Sequence, residues 1–282
     1  MPETANSSNM FTKKRVVIAL TALLLALLGA AGTVSYLTFV RSPANAAADA
    51  CADGRPQTSG QVVVAAGASM VQGTLGHDWV GALREKPVFR DHAFINAGDN
   101  GNTSADLLER VDSDIVACDP DRVAILVGAN DVRGAVPVKD YRDNLRAIVD
   151  RIRSRTSARI ALMSLPPLGE NPDTGINRQL RAYNAAIRET ATRAEIDYVP
   201  VNERFTAHLA DLGDRPAYDF SFTTSYLAAA EHYLLGRDWD DIARNNGLEL
   251  LVDHIHLSDR GGALLTDLAT DWLSGTGASA KQ

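Results

Sequence analysis

Gln61-Val62-Val63-Val64-Ala65-Ala66-Gly67-Ala68-Ser69 is the stretch on which the reading of this chain turns. Three β-branched residues in a row, then small ones and a glycine, describe a short strand with no polar face. Such a strand is buried on both sides, as strands of parallel sheets are. Four similar runs follow. Ala93-Phe94-Ile95 ends at Gly98, Val123 to Val127 ends at Gly128, and Ile160-Ala161-Leu162-Met163 and Tyr198-Val199-Pro200-Val201 supply a fourth and a fifth. Helical periods fill the gaps. Tyr141, Leu145, Ile148, Val149 and Ile152 share one helix face, with Asp140, Arg142, Arg146 and Asp150 opposite, and Ile176, Leu180, Tyr183 and Ile187 repeat the pattern. Regular β-α-β alternation predicts a three-layer α/β/α sandwich around a mostly parallel five-stranded sheet.

Outside this core the organisation changes. Residues 1–15 read as a short cytoplasmic segment ending in Lys13-Lys14-Arg15, and residues 16–40 contain no charged residue. At 1.5 Å per residue that run is long enough for the roughly 30 Å hydrocarbon core of a bilayer. Basic residues before it and the single Arg41 after it predict the N-terminus inside and the domain outside. The expectation is a single-pass transmembrane anchor with an extracytoplasmic domain. The alternative is a secreted protein cleaved near Ala46, at Ala44-Asn45-Ala46. The apolar run exceeds the roughly 7–15 residues of a signal core, which favours the anchor. Residues 41–59 read as a linker, 60–274 as one domain and 275–282 as a frayed tail. Within the domain, 203–250 is an aromatic-rich insertion, either a lid or acyl-binding wall or a packed excursion with its own small core. Cys51 in the linker and Cys118 before the third strand are either a disulfide, which an exported domain permits, or two independent thiols.

Composition narrows the partners. Of the 282 residues 45% are hydrophobic and 22% charged, ordinary for a domain with a real core, and the net charge of −7 comes without any basic stripe. Nucleic acid is therefore not an expected partner.

In open parallel sheets ligands bind beyond the carboxyl ends of the strands. The polar turns there are Gly67-Ala68-Ser69, the run Asn96 to Asn102, and Gly128-Ala129-Asn130-Asp131, spaced by about one βαβ unit of roughly 30 residues. Asp253-His254-Ile255-His256 stands near the C-terminus, before a final apolar helix. Ser69 after a strand-end glycine, Gly101 in the second turn, Asn130 in a G-x-N-D turn and the D-x-x-H of Asp253 and His256 resemble, in order and spacing, the four blocks of the SGNH (GDSL-type) serine esterase family. The resemblance covers roughly residues 60–273. One departure stands out: the first block usually reads Gly-Asp-Ser, whereas this chain has Gly67-Ala68-Ser69.

The resemblance implies a flavodoxin-like sheet and a serine-dependent ester hydrolase with Ser69 as nucleophile, His256 as base and Asp253 as orienter. It also implies an oxyanion hole from the Ser69 and Gly101 backbone N–H groups and the Asn130 side chain. The chemistry agrees. A serine hydroxyl needs a base, an imidazole titrates near neutrality, and a carboxylate three residues earlier on a tight turn can fix its tautomer. Each residue also has a plainer role available. Ser69 suits a helix cap, Asn130, Asp99 and Asn102 suit turns, Asp131 suits a loop brace, and His254 stands close enough to compete with His256. His77, His92, His208 and His232 have no motif around them. No G-x-S-x-G elbow, phosphate loop or H-E-x-x-H zinc motif occurs. The expectation is an esterase without metal or organic cofactor, acting on a small-molecule, lipid or acylated-glycan ester. The alternatives are an acyltransferase with the same serine chemistry on envelope glycans, and a non-catalytic envelope-binding protein.

Overall fold

The valine run of the opening stretch becomes the central strand. In the computed structural model, which describes residues 4–213 and 215–275 with side chains from Lys13 onward, β1 spans Val62–Gly67 and is buried along its whole length. β2 (Ala93–Gly98), β3 (Arg122–Leu126), β4 (Arg159–Met163) and β5 (Asp197–Val199) join it in the order β2-β1-β3-β4-β5, all neighbours parallel. Register aligns the carboxyl ends: Gly67 stands opposite Gly98 on one side and Leu126 on the other. In this order the chain winds outward in opposite directions from β1 and β3. Their carboxyl ends are therefore the switch point where open sheets form a crevice.

Thirteen helices accompany the sheet among the described residues. α1 (Thr4–Ser35) continues through a π-helical turn to Val40, and α2 is the single turn Ala47–Ala50. α3 (Ser69–Gln72) and α4 (Trp79–Glu85) follow β1; α5 (Ser104–Glu109) and α6 (Val111–Asp114) follow β2. α7 (Ala129–Arg133) and α8 (Val138–Arg155) follow β3, and α9 (Gly175–Ala194) follows β4. After β5 come α10 (Val201–Ala210), α11 (Phe222–Leu235), α12 (Trp239–Asn245) and α13 (Asp259–Ser274). One layer is α5, α6, α8 and α9; the other is built on α4 and α13, with α10 and α12 against α13. The apolar stripe read from the sequence is the packed face of α8: Tyr141, Leu145, Ile148, Val149 and Ile152 are all buried.

The stretch before the domain is packed against it. Thr38, Ala46, Ala47 and Cys51 are buried, and Ala46 pairs with Asn96 beside the edge strand β2. Cys51 is bonded to Cys118, their Cα atoms 5.0 Å apart. Of the segments read from the sequence, residues 1–3 and 276–282 lie outside the described residues.

Candidate active site

Ser69 is the first residue of α3, held at the mouth of the sheet by a close approach that requires glycine. A Cβ on Gly98 would lie 2.2 Å from the Gln72 backbone nitrogen, so the turn rests directly on the end of β2. Arg110 locks the same corner. Its guanidinium donates to the carbonyls of Gly67 (2.7 Å) and Ala97 (2.9 Å) and to Asn102 Oδ1 (2.7 Å), and pairs with Asp114 (2.7 Å).

The three strand-end turns are hydrogen-bonded to one another. Asn100 N–H donates to Gln72 Oε1 (2.6 Å), joining the β2 turn to the β1 turn. Asn130 Nδ2 donates to the Asn102 carbonyl (2.9 Å), joining the β3 turn to the β2 turn. Arg133, one helical turn on, donates to Asn130 Oδ1 (3.1 Å) and so fixes which end of the amide faces the β2 turn. Gly101, between Asn100 and Asn102, has φ +80° and is exposed. Behind the β3 turn, buried Asp131 accepts from Ser104 N–H (2.9 Å) and Ser104 Oγ (2.5 Å). Burial pushes its carboxyl up, against the pull of these bonds.

Asp253 and His256 arrive from the other side on a tight reversal. Val252 N–H donates to the His256 carbonyl (2.7 Å), Leu251 bridges Leu257, and His254 sits at the apex with φ +73°. His256 Nδ1 lies 2.8 Å from Asp253 Oδ2, and His256 Nε2 lies 2.9 Å from Ser69 Oγ. A carboxylate only accepts, so Nδ1 carries the imidazole proton and Nε2 is left to accept from the serine hydroxyl. Asp253 is fully buried, and burial alone would raise its carboxyl. The His256 imidazole and the hydrogen bonds around it outweigh that and hold the carboxyl at about 2. Those bonds come from His256 Nδ1, the backbone N–H of Ile255 (3.2 Å) and His256 (2.9 Å), and Ser225 Oγ (2.5 Å).

The structure thus brings Ser69, His256 and Asp253 into one line and ties the turns of Gly101 and Asn130 to Ser69's own. It leaves the competing His254 elsewhere, against Tyr218 and Gly169, with burial lowering its pKa. His77 pairs with Asp259, His232 stacks on Trp239, and His92 lies among Phe89 and Phe94. Among the described residues no group of three His, Cys, Asp or Glu side chains is placed to hold a metal.

Several participants escaped the sequence reading, Arg110 among them. Ser225 lies 28 residues from Asp253, inside the aromatic insertion, with no motif to mark it. Gln72 and Arg133 stand three residues after Ser69 and Asn130, a same-face spacing that offered a signal. Arg133 also lies beneath the insertion, its guanidinium carbon 4.1 Å from the Phe220 ring centre. Thr38, from before the domain, accepts at its carbonyl from Asn100 Nδ2 (3.0 Å) and Thr74 Oγ1 (2.8 Å), which no local pattern could announce.

Comparison with known proteins agrees with this architecture. A Geobacillus stearothermophilus protein named acetylxylan esterase is 27% identical over 153 residues, 51% of this chain and 68% of its own length. The crystal structure of the acetyl xylan esterase AlAXEase superposes with a TM-score of 0.56 at 19% identity, covering 76% of this chain and 98% of that one. LAE5, an alpha/beta hydrolase from the metagenome of Lake Arreo, Spain, gives 0.56 at 19%, covering 80% and 99%. At such identities these two structures attest the fold. The profile of the GDSL-like Lipase/Acylhydrolase family matches residues 64–264, and the chain belongs to that family.

Proposed function

We propose that this chain hydrolyses carboxylic esters through an acyl-Ser69 intermediate. The observation that carries this reading is the continuous line Asp253–His256–Ser69, at 2.8 and 2.9 Å. Ser69 Oγ attacks the ester carbonyl carbon while its proton passes to His256 Nε2. The negative charge on the tetrahedral oxygen meets the Ser69 and Gly101 backbone N–H groups and Asn130 Nδ2. His256 returns the proton to the leaving alcohol as the carbon–oxygen bond breaks. Water, deprotonated by His256, then attacks the acyl-serine, releases the carboxylic acid and restores the Ser69 hydroxyl. Asp253 keeps the imidazole in the required tautomer and stabilises its cation, without itself taking the proton. Ala68 stands where the usual motif has Asp, and the turn is held instead by Gly98, Gln72 and Arg110.

For the substrate, the acetylxylan esterase relative supports a short acyl group on a glycan hydroxyl. For location, we read α1 as a retained anchor with the domain outside. Cleavage near Ala46 would remove the Thr38 carbonyl that Asn100 and Thr74 use and the Arg41 carbonyl that Gln72 Nε2 uses (3.0 Å). Buried polar groups left without partners are costly, so the packing favours keeping the segment.

The test is hydrolysis of p-nitrophenyl esters, acetate to palmitate, by the detergent-solubilised full chain beside Ser69→Ala. Activity and fluorophosphonate labelling should both vanish in the variant, with acetate the best ester. Equal turnover by folded Ser69→Ala would remove the assigned nucleophile.

A further inference from the structure

Outside the N-terminal helix and its π-helical end, exposed large apolar side chains concentrate on one element. Phe222 is 72% exposed, Leu227 57%, Leu234 47% and Leu235 69%, all on α11; among the other described residues only Val88 and Leu212 compare. At 100° per residue, Thr223, Leu227 and Leu234 form one outward stripe with half-buried Ala230 at its edge, opposite the buried Ser225, Ala228 and Ala229; Glu231 flanks it, paired with Arg237 (2.8 Å). α8 shows what a water-facing helix of this chain looks like: its outer face carries Lys139, Arg142, Asp143 and Arg146. On α11 the one flanking charge, Glu231, is neutralised by Arg237, and an exposed leucine stripe on a helix that already has a packed face marks a surface covered by something apolar.

The neighbour of α11 indicates what that is. Tyr226 OH donates to the Ala31 carbonyl of α1 (2.8 Å), and Arg41 donates to Tyr233 OH (3.2 Å). About 20 residues of helix cross a bilayer core, which counted from Val16 ends near Ser35. α11 is therefore pinned between Ala31, inside that length, and Arg41, the first charge beyond it. This is the level of the outer membrane–water boundary, where tyrosines gather. The exposed α1 side chains from Val16 to Leu28 and the α11 stripe are thus parts of one apolar surface. The docking is tight, with Val34 and Thr38 fully buried, so α11 has no slack with which to leave that level.

We propose that α11 is a membrane-seated helix whose Leu227–Leu234 face lies in the outer leaflet, holding the active-site mouth at the lipid surface. This rests on the reading of α1 as a retained anchor. The occupant is lipid, because the stripe continues an apolar helix long enough to span a bilayer. The end of α11 nearer the span carries Phe222, which with Phe220 flanks Arg133 beside Asn130. The same helix donates Ser225 Oγ to Asp253. One short element therefore touches the bilayer, the rim of the site and the catalytic carboxylate, so esters presented at the membrane surface reach Ser69 without the domain moving.

The experiment uses the full chain in phosphatidylcholine/phosphatidylglycerol vesicles, with Leu227→Trp and Leu234→Trp made separately. The native Trp79, Trp239 and Trp272 are buried and give a background inaccessible to either quencher. Lys139→Trp, on the exposed face of α8, is the water-facing control. Brominated lipid should quench most of the added emission at 227 and 234 and none at 139, while aqueous acrylamide does the reverse. Acrylamide quenching at 227 and 234 would overturn the proposal. Shielding there from both quenchers would overturn it too, by showing a second protein copy on the stripe. Vesicle flotation separates the two layers of the argument: a chain that fails to float removes the anchor reading itself. A chain that floats with water-exposed 227 and 234 removes only the seat of α11.

Discussion

Asp253 is held by groups of two kinds, and they respond differently to substitution. The backbone N–H groups of Ile255 and His256 come from its own turn, whereas Ser225 Oγ comes from a helix 28 residues earlier. Asp253→Asn should leave the turn folded but favour the wrong imidazole tautomer, lowering kcat by about 10⁴ as in other triads. Ser225→Ala removes one hydrogen bond to a charged group, worth roughly 1.5–3 kcal/mol when fully expressed. Steady-state kinetics should show kcat falling about tenfold with KM nearly unchanged, because the loss is felt as the imidazolium forms. A Ser225→Ala chain with unaltered kcat would reduce that bond to packing. The carboxyl also sets an acid limit. It lies at about 2 in the folded protein, below the roughly 4 of free aspartate. Its contribution to stability is present above about pH 4 and lost as pH falls through about 2. Urea midpoints of parent and Asp253→Asn chains should therefore converge as the pH is lowered from 5 towards 3. The sequence made Asp253 and His256 legible because their partnership is local. It hid Ser225, because a hydroxyl brought in by a distant helix leaves no spacing to read.

At the scale of elements, the segment from Thr38 to Ala46 is the surprise. The sequence divides it between the end of the uncharged run, Thr38 to Val40, and the start of the stretch read as a linker, Arg41 to Ala46. In the fold its backbone carbonyls serve as acceptors for Asn100, Thr74 and Gln72, and Asn96 N–H donates to the Asn45 carbonyl (3.0 Å). Carbonyls are present at every residue, so no choice of side chain advertises such a role. Through Asn100 this segment supports the turn that carries Gly101. A chain beginning at Cys51 should unfold at least about 2 kcal/mol more easily, from several buried polar groups left unpaired. Its kcat should fall further than its KM changes, as the Gly101 turn loosens. Denaturant melts and p-nitrophenyl acetate kinetics of the two chains decide this. Equal kcat in both would show the segment to be a tether alone.

Across the whole molecule, the disulfide between Cys51 and Cys118 closes a separation of 67 residues and ties the segment before the domain to the turn between α6 and β3. Chain-entropy arguments give such a closure about 4 kcal/mol, with measured disulfides at roughly 2–4. Cys51→Ala with Cys118→Ala should lower the unfolding free energy by about that amount, and dithiothreitol should do the same to the parent chain. A stability insensitive to both would mean that the unfolded chain is not constrained by the bond. The division of labour between sequence and tertiary structure follows from range. Strands buried on both faces and helices with one apolar stripe write their burial into neighbouring residues, and the uncharged run of residues 16–40 marks a long apolar helix. The sheet, its two layers, the apolar N-terminal helix and the turns bearing Ser69, Gly101, Asn130 and His256 were therefore determined by the sequence itself. What holds those turns together was decided only in three dimensions. Gln72 on Asn100, Asn130 on the Asn102 carbonyl, Ser225 on Asp253 and Thr38 on the β2 turn are polar contacts between segments distant in the chain. Such contacts depend on distance and direction in the folded state, for which hydrophobic periodicity has no counterpart.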